Sequence, residues 1–228
     1  MTKTHLPLLL ALLGVVGNNQ FACASDLAHA DQPIVPPAEA ISRLKEGNER
    51  YTRGNPQHPH ESSEERTQLA KSQHPFAVVL GCADSRVPPE IVFDQGLGDL
   101  FVLRVAGNVI DDHSLGSIEY AVDHLAVRPI VVLGHQRCGA VKAAKETIAA
   151  KGEAPAHIQS LVTAIQPAVE ATAKGDLEAT VRENVKNVVQ ALRSSAPVLK
   201  AKVDSGELNV VGAYYSLDTG SVAFLDEK

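Results

Sequence analysis

Two apolar runs dominate the hydrophobic pattern. Each ends in a glycine and then in residues that can bind a metal. The first, Val78-Val79-Leu80-Gly81, passes into Cys82-Ala83-Asp84-Ser85-Arg86. The second, Ile130-Val131-Val132-Leu133-Gly134, passes into His135-Gln136-Arg137-Cys138-Gly139. Short uninterrupted runs of this kind fit strands buried on both faces of a parallel sheet. Their polar successors then fall at the carboxyl ends, where open α/β sheets place their sites. Residues 100–105 read as a further strand.

Around these runs the pattern is helical. Residues 38–51 carry Ile41, Leu44, Asn48 and Tyr51 at helical spacing, with Gly54 beyond the end. Ser62-x-x-Glu65 is a capping box opening a helix that runs to about residue 72. Pro88-Pro89-Glu90 starts a short helix, since proline suits a first turn. Residues 111–125 set Leu115, Ile118, Val122 and Leu125 on one face. Helices are also expected over 139–150, 157–173, 177–194 and 197–203. The stripe Val181, Val185, Val188 and Leu192 marks the third of these as a core helix. Residues 208–215 and 221–225 read as strands around the turn signal Asp218-Thr219-Gly220. This alternation predicts an α/β fold: a central, mainly parallel sheet flanked by helices, with an N-terminal helical arm and a C-terminal antiparallel hairpin strand.

The first residues stand apart. Lys3 is the only early charge, residues 6–16 are apolar but too short to span a bilayer, and Ala22-Cys23-Ala24 is a small-x-small cleavage site. Residues 1–24 therefore read as a signal peptide, and the mature chain as exported, periplasmic or secreted. A second cut is possible after Ala30. Lipid attachment at Cys23 is a further option, although Gln20 stands where a lipoprotein signal usually has Leu. Residues 25–37 are small, polar and proline-bearing, which suits a linker. Residues 38–228 then form a single domain.

Composition narrows the function. The 228 residues are 44% apolar and 21% charged, with net charge −6. No basic block is present, so neither nucleic acid nor an anionic membrane surface is an expected partner. Cleavage after Ala24 removes Cys23 and leaves two of the three cysteines, Cys82 and Cys138, both at strand ends. Either one alone reads as a small buried hydrophobe, and His135 alone as a core histidine. Together they read as a zinc site with three protein ligands and a fourth position for water or for Asp84. His58 and His60 lie in a proline-rich stretch, with no cysteine or acidic ligand at fixed spacing, and read as an exposed loop.

Cys82-x-Asp84-Ser85-Arg86 followed by His135-x-x-Cys138-Gly139 resembles the β-class carbonic anhydrases, in the plant-type branch. The likeness runs from about residue 41 to residue 225 and includes the segment 93–108. It implies reversible hydration of carbon dioxide to bicarbonate and a proton, with one Zn2+ per chain. It also implies a homodimer or larger oligomer whose N-terminal helix embraces the neighbour. Gln73 matches a glutamine that reaches into the neighbour's site, and Phe101, Ala106 and Tyr120 match the family's apolar pocket. The Gly139 amide would hold a substrate oxygen together with Gln73.

The residues support a mechanism of their own. A bidentate Arg86–Asp84 pair would hold the carboxylate off the metal and leave it to orient the attacking oxygen. Two thiolates, a neutral imidazole and Zn2+ sum to zero charge, so bound water should be less acidic than at a three-histidine site, and activity should climb towards alkaline pH. Two other readings stay open: hydrolysis of carbonyl sulfide or carbon disulfide at the same site, and a non-catalytic protein whose cysteines hold structural zinc or form a redox disulfide.

Overall fold

A computed structural model describes residue 1 and residues 34–225. Residues 2–24 of the expected signal peptide, with its cleavage sites and Cys23, and residues 25–33 of the expected linker lie outside the described residues. Helix α1 (Pro37–Thr52) opens one residue earlier than the hydrophobic spacing suggests, with a proline in its first turn. Next come α2 (Ser63–Leu69), β1 (Ala77–Gly81), α3 (Pro89–Val92), β2 (Leu100–Arg104) and a 3-10 turn at Ala106–Asn108. The chain continues through α4 (Asp112–His124), β3 (Pro129–His135), α5 (Gly139–Ala149), α6 (Ile158–Ala171) and α7 (Leu177–Ser194). It closes with α8 (Val198–Asp204), β4 (Asn209–Tyr215) and β5 (Val222–Phe224).

The expected α/β architecture is present. The sheet order is β2-β1-β3-β4-β5, parallel throughout except for the antiparallel pair β4–β5. Ser62 caps α2 in a full capping box. That helix stops at Leu69, three residues short of the expectation. The segment beyond leads to Pro75, whose ring disfavours helix in the residue before it.

Alternation along the strands divides the core. Val78, Leu80, Ile130, Val132 and Val210 pack with α4, α7 and α8. Ala77, Val79, Val131, Leu133 and Val211 pack with α1 and α3 on the other face. Gly134 lets α7 approach β3: a Cβ there would stand 2.5 Å from Val185 Cγ2.

Asn48 lies on the apolar face of α1 because its amide makes three long-range bonds. Its Nδ2 donates to Val92 O at 3.0 Å and Gly220 O at 2.8 Å, and its Oδ1 accepts from Val222 N at 2.8 Å. These bonds tie the arm to α3 and to the terminal hairpin. Asn48→Ala strands buried partners and should cost about 2–4 kcal/mol, read as a lower urea midpoint at unchanged slope. A loss under about 0.5 kcal/mol would show that the amide is dispensable.

Candidate metal centre

The strand order reverses at β1. The chain leaves β1 for β2 on one side and returns to β3 on the other. Register sets Gly81 beside Leu133, so Cys82 and His135 emerge from adjacent strands at the same end. Cys138 follows as the residue before α5. All three side chains are buried. Their donor atoms lie within 4.8 Å of one another, and among the described residues they form the one such group of three.

The donors suit zinc. The two sulfurs are 4.0 Å apart, far beyond a disulfide bond. Thiolates at about 2.3 Å from a tetrahedral ion would stand about 3.8 Å apart. His135 Nδ1–H donates to Gln136 O at 3.0 Å, which leaves the Nε2 lone pair for a ligand bond. Nε2 is buried and has no hydrogen-bond partner. A metal ion in this cradle would satisfy it.

Without a metal the two thiols share a hydrogen bond, which favours the charged form at Cys82. Donation from the Cys138 thiol, and also from the Gly107 amide, holds Cys82 at about 4 against the opposing effect of burial. The same contact and burial push Cys138 up. Gly107 N–H reaches Cys82 Sγ at 3.3 Å from a left-handed conformation, φ 72°. A Cβ at Gly107 would stand 2.8 Å from Ile165 Cδ1, a side-chain end that can move, so it is the left-handed backbone that favours glycine here.

The Asp84–Arg86 pair forms as expected. Arg86 Nε donates to Oδ1 at 2.9 Å, Nη2 to Oδ2 at 2.7 Å, and the Arg86 amide to Oδ1 at 3.0 Å. This guanidinium holds the Asp84 carboxyl well below the usual carboxylate range. Asp84 Oδ2 still lies 3.8 Å from His135 Nε2, at the edge of the cradle. Ala106, which opens the 3-10 turn, and Gly139, which opens α5, adjoin Gly107 and Cys138 and so belong to the same place.

Three expected site residues sit elsewhere in the chain. Gln73 is exposed ahead of β1, at the strand end opposite Cys82. Phe101 pairs with Val78, three residues before Arg104 and so about 10 Å back along the strand. Tyr120 is 46% exposed on α4, its ring centroid 5.0 Å from that of His124. None of them hydrogen-bonds to the triad of its own chain. His58 and His60 lie in the expected exposed loop, held at its base by Asp94, and His60 meets Asp99 at 2.9 Å.

Comparison with known proteins agrees with this geometry. A family model described as carbonic anhydrase matches residues 77–222. Carbonic anhydrase 2 of Mycobacterium tuberculosis is 44% identical over 197 residues, covering 85% of this chain and 95% of that protein. The β-carbonic anhydrase CafA of Aspergillus fumigatus superposes with a TM-score of 0.63 at 31% identity, over 83% of this chain and 90% of that one. The chain belongs to the β-class carbonic anhydrases. A tetrameric β-carbonic anhydrase of Sordaria macrospora shares the fold with a TM-score of 0.65 at 24% identity, over 82% of this chain and 95% of that one.

Sequence reasoning missed several supports of this β-carbonic anhydrase site. Arg104 donates from Nε to Cys82 O at 3.0 Å and from Nη2 to Asp84 O at 2.5 Å, pinning the first ligand loop. Asn184 Nδ2 donates to Gly107 O at 2.8 Å. A readable signal existed there, since Asn184 falls on the apolar stripe of α7 three residues after Val181. Asp218 is more than a turn residue. It accepts from both Arg137 nitrogens, at 3.0 and 2.6 Å, and from Gln136 Nε2 at 2.8 Å, clasping the loop between His135 and Cys138.

The Arg137 guanidinium, and then the Gln136 amide, hold the Asp218 carboxyl at about 2. Because the folded value is lowered, the clasp is intact above the ordinary carboxylate range near 4 and lost as pH falls towards about 2. Carboxyl carbon NMR should therefore find Asp218 ionised at about pH 3, where an ordinary aspartate is mostly protonated. Arg137→Ala should raise its midpoint towards 4. An unchanged midpoint in that variant would remove the guanidinium as the cause.

Proposed function

We propose that the chain catalyses the reversible hydration of carbon dioxide to bicarbonate and a proton, with one zinc ion per chain held by Cys82, His135 and Cys138. The unpartnered His135 Nε2, facing two sulfurs 4.0 Å apart with Asp84 already tied to Arg86, is the observation that carries this reading. Zinc at such a site acidifies water and so supplies the nucleophile.

The chain's own residues do the rest. Asp84 Oδ2 accepts a hydrogen bond from the attacking water and aims its lone pair. With its carboxyl held so low, Asp84 is a weak proton acceptor and acts by orienting rather than by storing the proton. Arg86 occupies Asp84 and would keep the carboxylate from binding a zinc ion held by Cys82, His135 and Cys138. The Gly139 amide, at the start of α5, donates to an oxygen of substrate or bicarbonate. Ala106 contributes an apolar wall.

A second copy of the chain completes the pocket in this reading, with Gln73, Phe101 and Tyr120 entering the neighbour's site. Their distance from their own triad and the exposure of Gln73 and Tyr120 support it. The oligomer is a homodimer or larger.

Stopped-flow hydration by the zinc-loaded chain from about pH 6.5 to 9 tests the activity, which should rise with pH. Arg86→Ala should lower turnover by about 100-fold or more while zinc stays bound, because Asp84 then closes the site. Asp84→Ala added to it should recover part of the loss. Near-parental turnover in Arg86→Ala would remove the gate. Turnover of carbonyl sulfide or carbon disulfide but not carbon dioxide would replace the substrate, and stoichiometric zinc without turnover would favour a binding protein.

The shared pocket has a separate test. Chains carrying Gln73→Ala and Cys138→Ala should each be weak alone. Refolded together, their mixed pairs hold one complete site each, so activity should return to about a quarter of the parental value. A mixture no better than the average of its parts, or an active monomer by light scattering, would overturn the shared pocket.

A further inference from the structure

The thiolate of Cys82 is backed by a turn whose anchor comes from a distant helix. Val105 N donates to Gly81 O at 3.1 Å, which docks the turn on the end of β1. Asn108 N then donates to Val105 O at 2.8 Å and closes it. Between them, Gly107 points its N–H at Cys82 Sγ, 3.3 Å away. The peptide after Gly107 is held at both ends: its N–H by Val105 O, and its carbonyl by Asn184 Nδ2 at 2.8 Å. Asn184 is 2% exposed and lies on α7 beside Val181 and Val185.

We propose that Asn184 is a positioning residue for the metal ligand Cys82, acting through the Gly107 peptide; this rests on the zinc reading of Cys82, His135 and Cys138. Gly107 has no side chain to lock its own dihedrals, and glycine is the residue freest to rotate. With the carbonyl pinned, the preceding N–H stays aimed at the sulfur. That bond withdraws electron density from the thiolate and fixes the direction of its lone pairs. Hydrogen bonds to ligand atoms set how firmly a metal is held and how strongly the ligand donates to it. Asn184 touches neither metal nor substrate in this role.

Cobalt(II) serves as the probe, because thiolate-to-cobalt charge transfer reports the two ligand sulfurs, and the Gly107 N–H bond falls on that of Cys82. The variants are Asn184→Leu, which keeps the branching at Cγ and loses the donor, and the smaller Asn184→Ala. Asn187→Leu, one position along the same helix surface and without a bond to the turn, is the control. Both Asn184 variants should shift the charge-transfer band and release metal to a chelator about 10- to 100-fold faster than the parent. The control should do neither. A purely structural asparagine would lower the melting temperature but leave the band and the release rate of the folded protein unchanged. Release within about twofold of the parent and an unmoved band, in either folded variant, overturns the proposal. So does failure of both variants to fold, which would make Asn184 a folding residue. A parent chain that takes up no cobalt overturns the zinc reading along with this one, whereas a metal-binding parent with unaffected variants overturns this one alone.

Discussion

The parallel register of β1 and β3 sets Gly81 beside Leu133, one residue before Cys82 and two before His135. The placement of Cys82 beside His135 follows from that alignment. Both strands are buried along their whole length, so neither can slide without exposing Val78–Leu80 or Ile130–Leu133 to water. The hydrophobic core thus fixes the donor atoms before any metal arrives. The cost is a buried imidazole nitrogen with no partner, and the metal-binding reading explains why the fold tolerates it.

Two carboxylate–guanidinium pairs then shape the cradle's rim. Arg86 holds Asp84, and Asp218 holds Arg137. Both arginines are about half exposed, so neither pair contributes much to folding stability. Their value lies in direction. One fixes where the Asp84 carboxylate stands beside the Cys82–His135–Cys138 group, and the other clasps the loop that carries His135 and Cys138. A surface ion pair that would be minor elsewhere gains consequence here because it determines where the side chains of the triad and Asp84 stand.

Asn48, Asn184 and Arg104 show the same economy in polar form. Each spends its hydrogen bonds on backbone groups far away in sequence: Asn48 on α3 and the hairpin, Asn184 on the turn behind Cys82, Arg104 on the loop after β1. Two of them are buried among apolar side chains, where a satisfied amide specifies one arrangement and an unsatisfied one is expensive. The site is therefore held by packing at the strand ends and by backbone-directed hydrogen bonds around them.

The chain by itself determined the strands, most of the helices and the ligand triad. In those places the information is local: apolar runs mark buried strands, and cysteine, histidine and aspartate follow them directly. The Asp84–Arg86 pair was legible for the same reason, since two residues on one turn cannot avoid each other. Tertiary structure decided what joins elements remote in sequence. Arg104 meets the loop after β1 only because β2 lies beside it, Asn184 meets Gly107 only because α7 packs behind the turn, and Asp218 meets Arg137 only because β4 pairs with β3. Such contacts have no period and no fixed spacing, so the residues that make them look like an ordinary strand end, a polar interruption in a stripe, and a turn.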